Sequence, residues 1–97
     1  IQVKAGRPYK LSACIKTEEV ERFVQVQVAF VDGMGRYIHD LKSLPGTSPM
    51  KGTNDWSEPA LEVRAPEKAT AAEIRCLITG QGKVWFDELN FFEVPWE

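Results

Sequence analysis

The side chains that could carry out acid–base or metal chemistry are one histidine, two cysteines and fourteen aspartates and glutamates. A single histidine, His39 beside Asp40, cannot build the multi-ligand cluster of metal catalysis, and we interpret it as a surface-loop residue. No serine or cysteine stands in a recognisable nucleophile motif. A glycosidase carboxylate pair must lie across a cleft flanked by sugar-binding surfaces, which a chain of 97 residues rarely builds. We therefore expect a protein that is not an enzyme and acts by binding.

A group of polar side chains shares one face of the strands that the sequence predicts: Ser12, Cys14, Gln25, Gln27 and Arg75. Amide and guanidinium groups offer paired donors or acceptors at fixed geometry, which suits the recognition of sugar hydroxyls. Sugar-binding grooves also use flat aromatic side chains, and strand alternation predicts none on this face. The same polar pattern is typical of an ordinary solvated face of an antiparallel sheet, and both interpretations stay open.

Two aromatic side chains stand outside the predicted core and could reach a ligand. Tyr37 follows a turn, and Trp96 is the penultimate residue of the chain. Together with the polar face, this gives the candidate ligand-binding residues as Ser12, Gln25, Gln27, Tyr37 and Arg75.

The elements that must position these residues follow a period of two along nearly the whole chain. The clearest strand alternates Val24, Val26 and Val28 with glutamines, and the glycines of Asp32-Gly33-Met34-Gly35 predict a tight turn after it. An irregular stretch occupies residues 39–54. We predict about six strands and no helix of useful length, at residues 9–17, 23–32, 36–38, 56–64, 73–79 and 84–94. This pattern is typical of an all-β antiparallel β-sandwich or jelly roll, and the side chains expected in its core include Phe23, Phe30, Trp56, Phe86 and Phe91.

Composition limits the size and the partners of the molecule. The length fits one domain, residues 1–97. The net charge is -2 and the lysines and arginines are scattered, so no basic stripe favours nucleic acid as a partner. No apolar run is long enough to span a membrane. Alternation places Cys14 and Cys76 on opposite faces of their sheets, which predicts no disulfide between them.

Six segments of the sequence, taken in order, resemble a known family. They read AGRPYKLSACIKT, VQVAFVD, GTNDWSE, VRAPE, IRCLITG and GKVWFDEL, at residues 5–17, 26–32, 52–58, 63–67, 74–80 and 82–89. In this order they are similar to carbohydrate-binding modules with a galactose-binding-like jelly roll, the xylan- and glucan-binding type appended to secreted glycoside hydrolases. The resemblance implies a non-catalytic, extracellular module that binds a plant-type polysaccharide such as xylan or β-glucan. It also implies a structural calcium ion, with Asp87 as a ligand.

The chain departs from this family at its start. Such modules usually begin with several dozen residues that include an Asn-Gly-Phe-Glu-like motif, and the sequence from Ile1 has nothing comparable. We therefore expect a fragment or a part of a larger chain. Its expected partner is a catalytic domain in the parent chain, or a neighbouring chain that supplies the missing strands.

Two consequences of the missing segment are left open. It carries part of the family's calcium site, so Asp87 has a second interpretation, as a turn cap or the partner of a nearby Arg or Lys. The alternative function is a structural or assembly domain that makes protein–protein contacts through an open sheet edge.

Overall fold

One long strand organises the structure. The computed structural model describes residues 1–38 and 44–95, and within them the 24-residue strand β1 (Pro8–Val31) pairs antiparallel with four shorter strands. The shorter strands are β2 (Met50–Ser57), β3 (Ala60–Arg64), β4 (Ala71–Thr79) and β5 (Lys83–Glu93), all in the same sheet. The predicted all-β, antiparallel character is confirmed. The described residues include no helix that is long and apolar enough to cross a membrane.

The strands differ in number and bounds from the sequence prediction. Residues 9–17 and 23–32 form one strand rather than two, because a bulge and not a turn joins them. Residues 36–38 contribute only an isolated bridge between Val31 and Tyr37. The predicted strand 56–64 is divided before Pro59, since proline has no N–H group to donate within a sheet. The irregular stretch ends earlier than predicted, because β2 begins at Met50.

Two stretches of the chain lie along the two edges of β1. Residues 44–64 run along one edge of β1 and residues 71–93 along the other, so that Thr17 pairs with Asn54 on one side and Val84 on the other. Among the strands that the structure describes, β2 to β5 each pair with β1 and with no other strand. Each of them therefore has an outer edge that no other described strand pairs, although Ile1 exchanges two hydrogen bonds with Ala72 at the start of β4.

A bulge keeps the buried residues of both halves of β1 on one face of the sheet. Glu19 has a positive φ of 51°, and the pairing register shifts between Thr17 and Val20. The extra residue inverts the alternation, so odd-numbered residues point inward before the bulge and even-numbered residues after it. The inward side, which we call the core face, carries the buried residues Tyr9, Leu11, Ala13, Ile15, Thr17, Val20, Val24, Val26, Val28 and Phe30.

The predicted aromatic core is confirmed in part. Phe30 is fully buried, and Phe86 and Phe91 pack against the core while remaining partly exposed. Phe23 is half-buried and is not a member of the core cluster. The prediction for Trp56 is wrong, because its side chain is 49% exposed. Its neighbour Ser57 lies opposite Ile15 on the core face, and strand alternation turns Trp56 the other way.

The two cysteines lie on opposite faces, as predicted. Cys14 follows the outward alternation of β1 and pairs with Asp87, whereas Cys76 lies opposite Val26 on the core face. Both are free thiols. Partial removal of the Cys76 thiol from water raises its pKa, although the residue is exposed.

Candidate functional site

The outward side of β1, here called the polar face, carries Ser12, Cys14, Lys16, Gln25 and Gln27. The prediction that this face has no aromatic side chain is wrong. Cross-strand pairing sets Trp85 of β5 opposite Lys16 and Phe92 opposite Lys10, and both aromatic side chains are more than 40% exposed. The sequence signal was the adjacent pair Trp85-Phe86, since consecutive residues of a strand point to opposite faces. Phe86 lies opposite Ile15 on the core face, which leaves Trp85 outside.

Trp85 forms one wall of an open depression of about 320 Å³. We call it the Trp85 depression; its lining residues are Lys16, Thr17, Glu18, Thr53, Asn54, Asp55 and Trp85. The ammonium group of Lys16 lies 5.6 Å from the centre of a Trp85 ring, in the range of a cation–π contact. The site therefore combines a flat apolar surface with carboxylate, amide, hydroxyl and ammonium groups.

Residues 53–55 of the lining are held in place by hydrogen bonds. The backbone N–H and the side-chain amide of Asn54 both donate to Oγ1 of the buried Thr17, each at 3.0 Å. The same amide also donates to the carbonyl oxygen of Lys51 at 2.9 Å. Oγ1 of Thr53 accepts from the N–H of the bulge residue Glu19 at 3.0 Å. This network fixes residues 53–55 relative to β1 before any ligand arrives.

A second depression of about 370 Å³ lies beside the first, where β4 turns into β5. We call it the Gln81 depression, and its lining residues are Glu18, Glu19, Gln81, Gly82 and Lys83. Glu18 lines both depressions. Its carboxylate lies 3.9 Å from the ammonium group of Lys83, which is opposite Glu18 in the strand register.

The structure brings four of the five predicted ligand residues together, around the second half of β1. Gln27 lies opposite Arg75, and its amide donates to Oε1 of Gln25 at 2.8 Å, while the Gln25 amide donates to the carbonyl oxygen of Thr47 at 2.7 Å. The two glutamines thus use these donors within the protein. Ser12 is the exception, because it lies on the first half of β1 and only 8% of its surface is exposed.

Tyr37 and Arg75 meet through Glu73. The Tyr37 hydroxyl donates to the Glu73 carboxylate at 3.0 Å, and Nε of Arg75 lies 3.9 Å from the same carboxylate. The hydrogen bond to the carboxylate raises the pKa of Tyr37, because it stabilises the protonated hydroxyl. This cluster is polar and exposed, and none of its members lines either depression.

The predicted calcium ligand Asp87 stands at a bulge in β5. Glu88 has a positive φ of 47°, and its N–H donates to Oδ1 of Asp87 at 2.9 Å, as expected of a local capping carboxylate. The Cys14 thiol donates to the Glu88 carboxylate at 3.6 Å. Removal from water and then this hydrogen bond raise the thiol's pKa. Calcium takes six to eight oxygens, and within residues 1–38 and 44–95 no group of three His, Cys, Asp or Glu residues is placed to hold a metal.

Three residues named in the sequence analysis, His39, Asp40 and Trp96, lie outside the described residues. Their interpretations as loop residues and as a free aromatic remain predictions.

Comparison with known proteins does not show a family for this chain. No protein-family model matches the chain. Over 89 residues, the chain is 28% identical to the uncharacterized HTH-type transcriptional regulator YbfP of Bacillus subtilis (strain 168). The match covers 92% of this chain and 30% of that protein. This chain therefore spans less than a third of the length of the curated relative.

Proposed function

We propose that this chain is a non-catalytic carbohydrate-binding domain of a larger protein, with the Trp85 depression as its sugar site. The ligand is a neutral plant-type polysaccharide such as xylan or β-glucan. The observation that carries the proposal is the exposed Trp85 side chain, which lines the same depression as the Thr53 hydroxyl and the carboxylates of Glu18 and Asp55. The apolar C–H side of a pyranose ring packs on an indole ring, while its hydroxyls need paired donors and acceptors.

The groups around Trp85 suit a neutral ligand. Glu18 and Asp55 supply carboxylate oxygens that accept hydrogen bonds from hydroxyls, and Lys16 supplies a donor. Charges of both signs line the depression, so a strongly anionic or cationic ligand would meet a like charge. The residues predicted from sequence, Gln25, Gln27 and Arg75, lie in a separate cluster and are a secondary contact area in this proposal.

We also propose that the sheet is one layer of a jelly-roll sandwich, as the sequence resemblance implies. Supporting this, the core face keeps exposed apolar side chains at its edge. Ile78 lies opposite Val24 on that face and is 39% exposed, and the Cys76 side chain beside it is also exposed. A second layer would remove this apolar surface from water. In such a sandwich, a calcium ion at Asp87 would take most of its oxygens from backbone carbonyls or from another segment.

The parent protein has two candidate settings. The resemblance to modules of glycoside hydrolases favours a secreted polysaccharide-active protein, in which the domain holds a catalytic partner on its substrate. The similarity to an HTH-type transcriptional regulator favours a second setting, in which the domain is the sugar-sensing part of a regulator. Both settings use the same binding site, and expression of the parent protein followed by assays for glycoside hydrolysis and DNA binding separates them.

A protein-contact function is the alternative that a specific observation supports. The outer edges of β2 to β5 carry unpaired backbone groups in the described part of the chain, and such edges can add a strand from another molecule. Sedimentation at rising protein concentration tests this function. A chain that stays strictly monomeric, and that no added strand peptide binds, contradicts it.

Affinity electrophoresis with soluble xylan, β-glucan and mannan tests the carbohydrate proposal. We expect at least one polysaccharide to retard the 97-residue chain and Trp85→Ala to abolish most of the retardation. The matched control is Phe92→Ala, because Phe92 is an equally exposed aromatic on the same face but lies outside the depression. Circular dichroism confirms that both variants fold. The proposal is rejected if no polysaccharide retards the chain, or if both variants behave alike.

A further inference from the structure

The Trp85 depression and the Gln81 depression meet at one side chain. Glu18 contributes to the lining of both. Trp85 and Lys83 follow one another at alternate positions of β5, opposite Lys16 and Glu18 of β1. Because residues two apart in a strand point to the same side, the tryptophan of one depression and the lysine of the other stand side by side on the polar face.

The two depressions are separated by side chains that are held only by a weak ion pair. It consists of the Glu18–Lys83 pair, whose charged groups are 3.9 Å apart and whose side chains are at least half exposed. An ion pair of this kind contributes about 0–1 kcal/mol because water screens it. Both side chains can therefore turn toward a ligand that crosses the boundary, and each offers hydrogen-bonding groups to it.

The far wall of the Gln81 depression is rigid. The N–H of Glu21 donates to the carbonyl oxygen of Gln81 at 2.8 Å, and the N–H of Gln81 donates to the Glu21 carboxylate at 3.2 Å. Gly82 packs so closely on β1 that an added Cβ would lie 2.6 Å from Cα of Val20. The backbone of the β4–β5 turn is thus fixed against the bulge of β1, and the depression exists before a ligand binds.

We propose that the two depressions form one groove with two subsites, which binds a neutral oligosaccharide of at least two sugar units. One unit stacks on Trp85, and the next lies between Glu18 and the side-chain amide of Gln81. The inference rests on the proposed function and adds a second subsite and the minimum length of the ligand. Each depression has a volume within the range of about 300–1,000 Å³ seen for small-molecule sites.

The charges along the groove favour a ligand without ionised groups. The two depressions together present both ammonium groups and carboxylates, from the following residues: Lys16, Glu18, Glu19, Asp55 and Lys83. A uronic-acid chain would place its own carboxylates beside those of Glu18, Glu19 and Asp55. Hydroxyl groups can both donate to carboxylates and accept from ammonium groups, so a neutral sugar satisfies both signs.

Titration calorimetry with xylose, xylobiose and xylotriose, and with glucose, cellobiose and cellotriose, tests the inference. We expect the disaccharide of the preferred series to bind at least about tenfold more tightly than the monosaccharide, because a second unit adds contacts worth about 1.4 kcal/mol. Gln81→Ala should weaken disaccharide binding by about three- to tenfold and leave monosaccharide binding unchanged. The matched control is Gln2→Ala, an exposed glutamine outside both depressions.

The outcomes separate this inference from the proposed function. Equal affinity for mono- and disaccharide, or an equal effect of Gln81→Ala on both, overturns the two-subsite groove while the Trp85 site stands. Retardation by polygalacturonate as strong as that by neutral polysaccharides overturns the charge argument. Sugar binding that is unaffected by Trp85→Ala overturns the proposed function itself.

Discussion

The buried Oγ1 atom of Thr17 accepts hydrogen bonds from both nitrogen atoms of Asn54, each at 3.0 Å. Thr17 is 1% exposed and lies two residues before the bulge of β1, while Asn54 lies in the wall of the Trp85 depression. One hydroxyl therefore links the central strand to the polar side of the proposed sugar site. This contact ties the stability of the sheet to the geometry of the site.

We expect Thr17→Val to destabilise the chain by about 1–3 kcal/mol, since valine has the same shape but leaves the donors of Asn54 without their acceptor. Urea denaturation measures the change. The matched control is Thr70→Val, whose side chain is exposed and which should change the unfolding free energy by less than about 0.5 kcal/mol. Sugar affinity of the folded variant should also fall. Equal stability of the two variants would show that the Thr17–Asn54 contact contributes nothing.

Shortening a side chain of β1 that lies on the core face should strongly lower the stability of the protein. Leu11 is fully buried, and we expect Leu11→Ala to lower the free energy of unfolding by about 2–5 kcal/mol through lost burial and a cavity. Leu77→Ala is the control, because Leu77 is 36% exposed and lies opposite Gln25 on the polar face. Thermal and urea unfolding of both variants give the comparison. A loss at Leu77 as large as the loss at Leu11 would contradict the assignment of the two faces.

Gly82 and Gly6 allow the cost of a steric contact to be separated from the cost of a positive φ. Both glycines have positive φ, 140° and 79°, but an added Cβ meets Cα of Val20 at 2.6 Å from Gly82 and nothing within 4 Å from Gly6. We expect Gly6→Ala to cost about 1–2 kcal/mol and Gly82→Ala about 3 kcal/mol or more. Urea denaturation measures both. A smaller loss for Gly82→Ala than for Gly6→Ala would mean that the β4–β5 turn does not pack on the bulge.

The predicted turn after β1 is confirmed and carries a pH-dependent contact. The N–H group of Gly35 donates to the carbonyl oxygen of Asp32 at 3.0 Å, and Gly35 has a φ of 79°. The Asp32 carboxylate accepts from the backbone N–H groups of Arg36 and Met34, at 3.0 and 2.9 Å. These two hydrogen bonds, Arg36 first, hold the pKa of Asp32 below its ordinary value.

Because the pKa is lower in the folded chain, Asp32 adds stability above its unfolded pKa of about 3.9, and this contribution is lost as the pH falls through the folded value. Asp32→Asn keeps an acceptor but removes the charge. We expect wild type to melt at a higher temperature than Asp32→Asn at neutral pH and the gap to close below about pH 4. Melting curves of both proteins across this range are the measurement. A gap that stays constant into acid would exclude the charge of Asp32 as its cause.

Much of the sheet could be predicted from the sequence because it rests on local alternation. The apolar residues Leu11 and Ile15, and later Val24 and Val28, were assigned to one face within each segment, and both assignments are confirmed. Sequence could not show that the two segments are one strand. The bulge that joins them depends on a positive φ at Glu19. Glutamate rarely adopts such a conformation, so its presence in the sequence does not indicate a bulge.

The candidate site could be predicted far less well, because cross-strand register decides it. Gln25, Gln27 and Arg75 were assigned to one face, and the register does bring them together. Trp85 was not assigned to the polar face, since its position there follows from its pairing with Lys16. Trp56 was assigned to the core for its size, whereas the pairing of Ser57 with Ile15 turns it outward.

The sequence by itself determined the all-β class, the turn at Asp32–Gly35 and the faces of the two cysteines, because each depends on the conformation of a few consecutive residues. Only the tertiary structure decided which residues form the proposed site. Lys16, Asp55 and Trp85 come from three strands, and no local pattern sets the register that places an ammonium group, a carboxylate and an indole ring around one depression. That register depends on the irregularities in the β1–β2 pairing and on the bulge in β5, which shifts the β1–β5 pairing between Ser12 and Cys14.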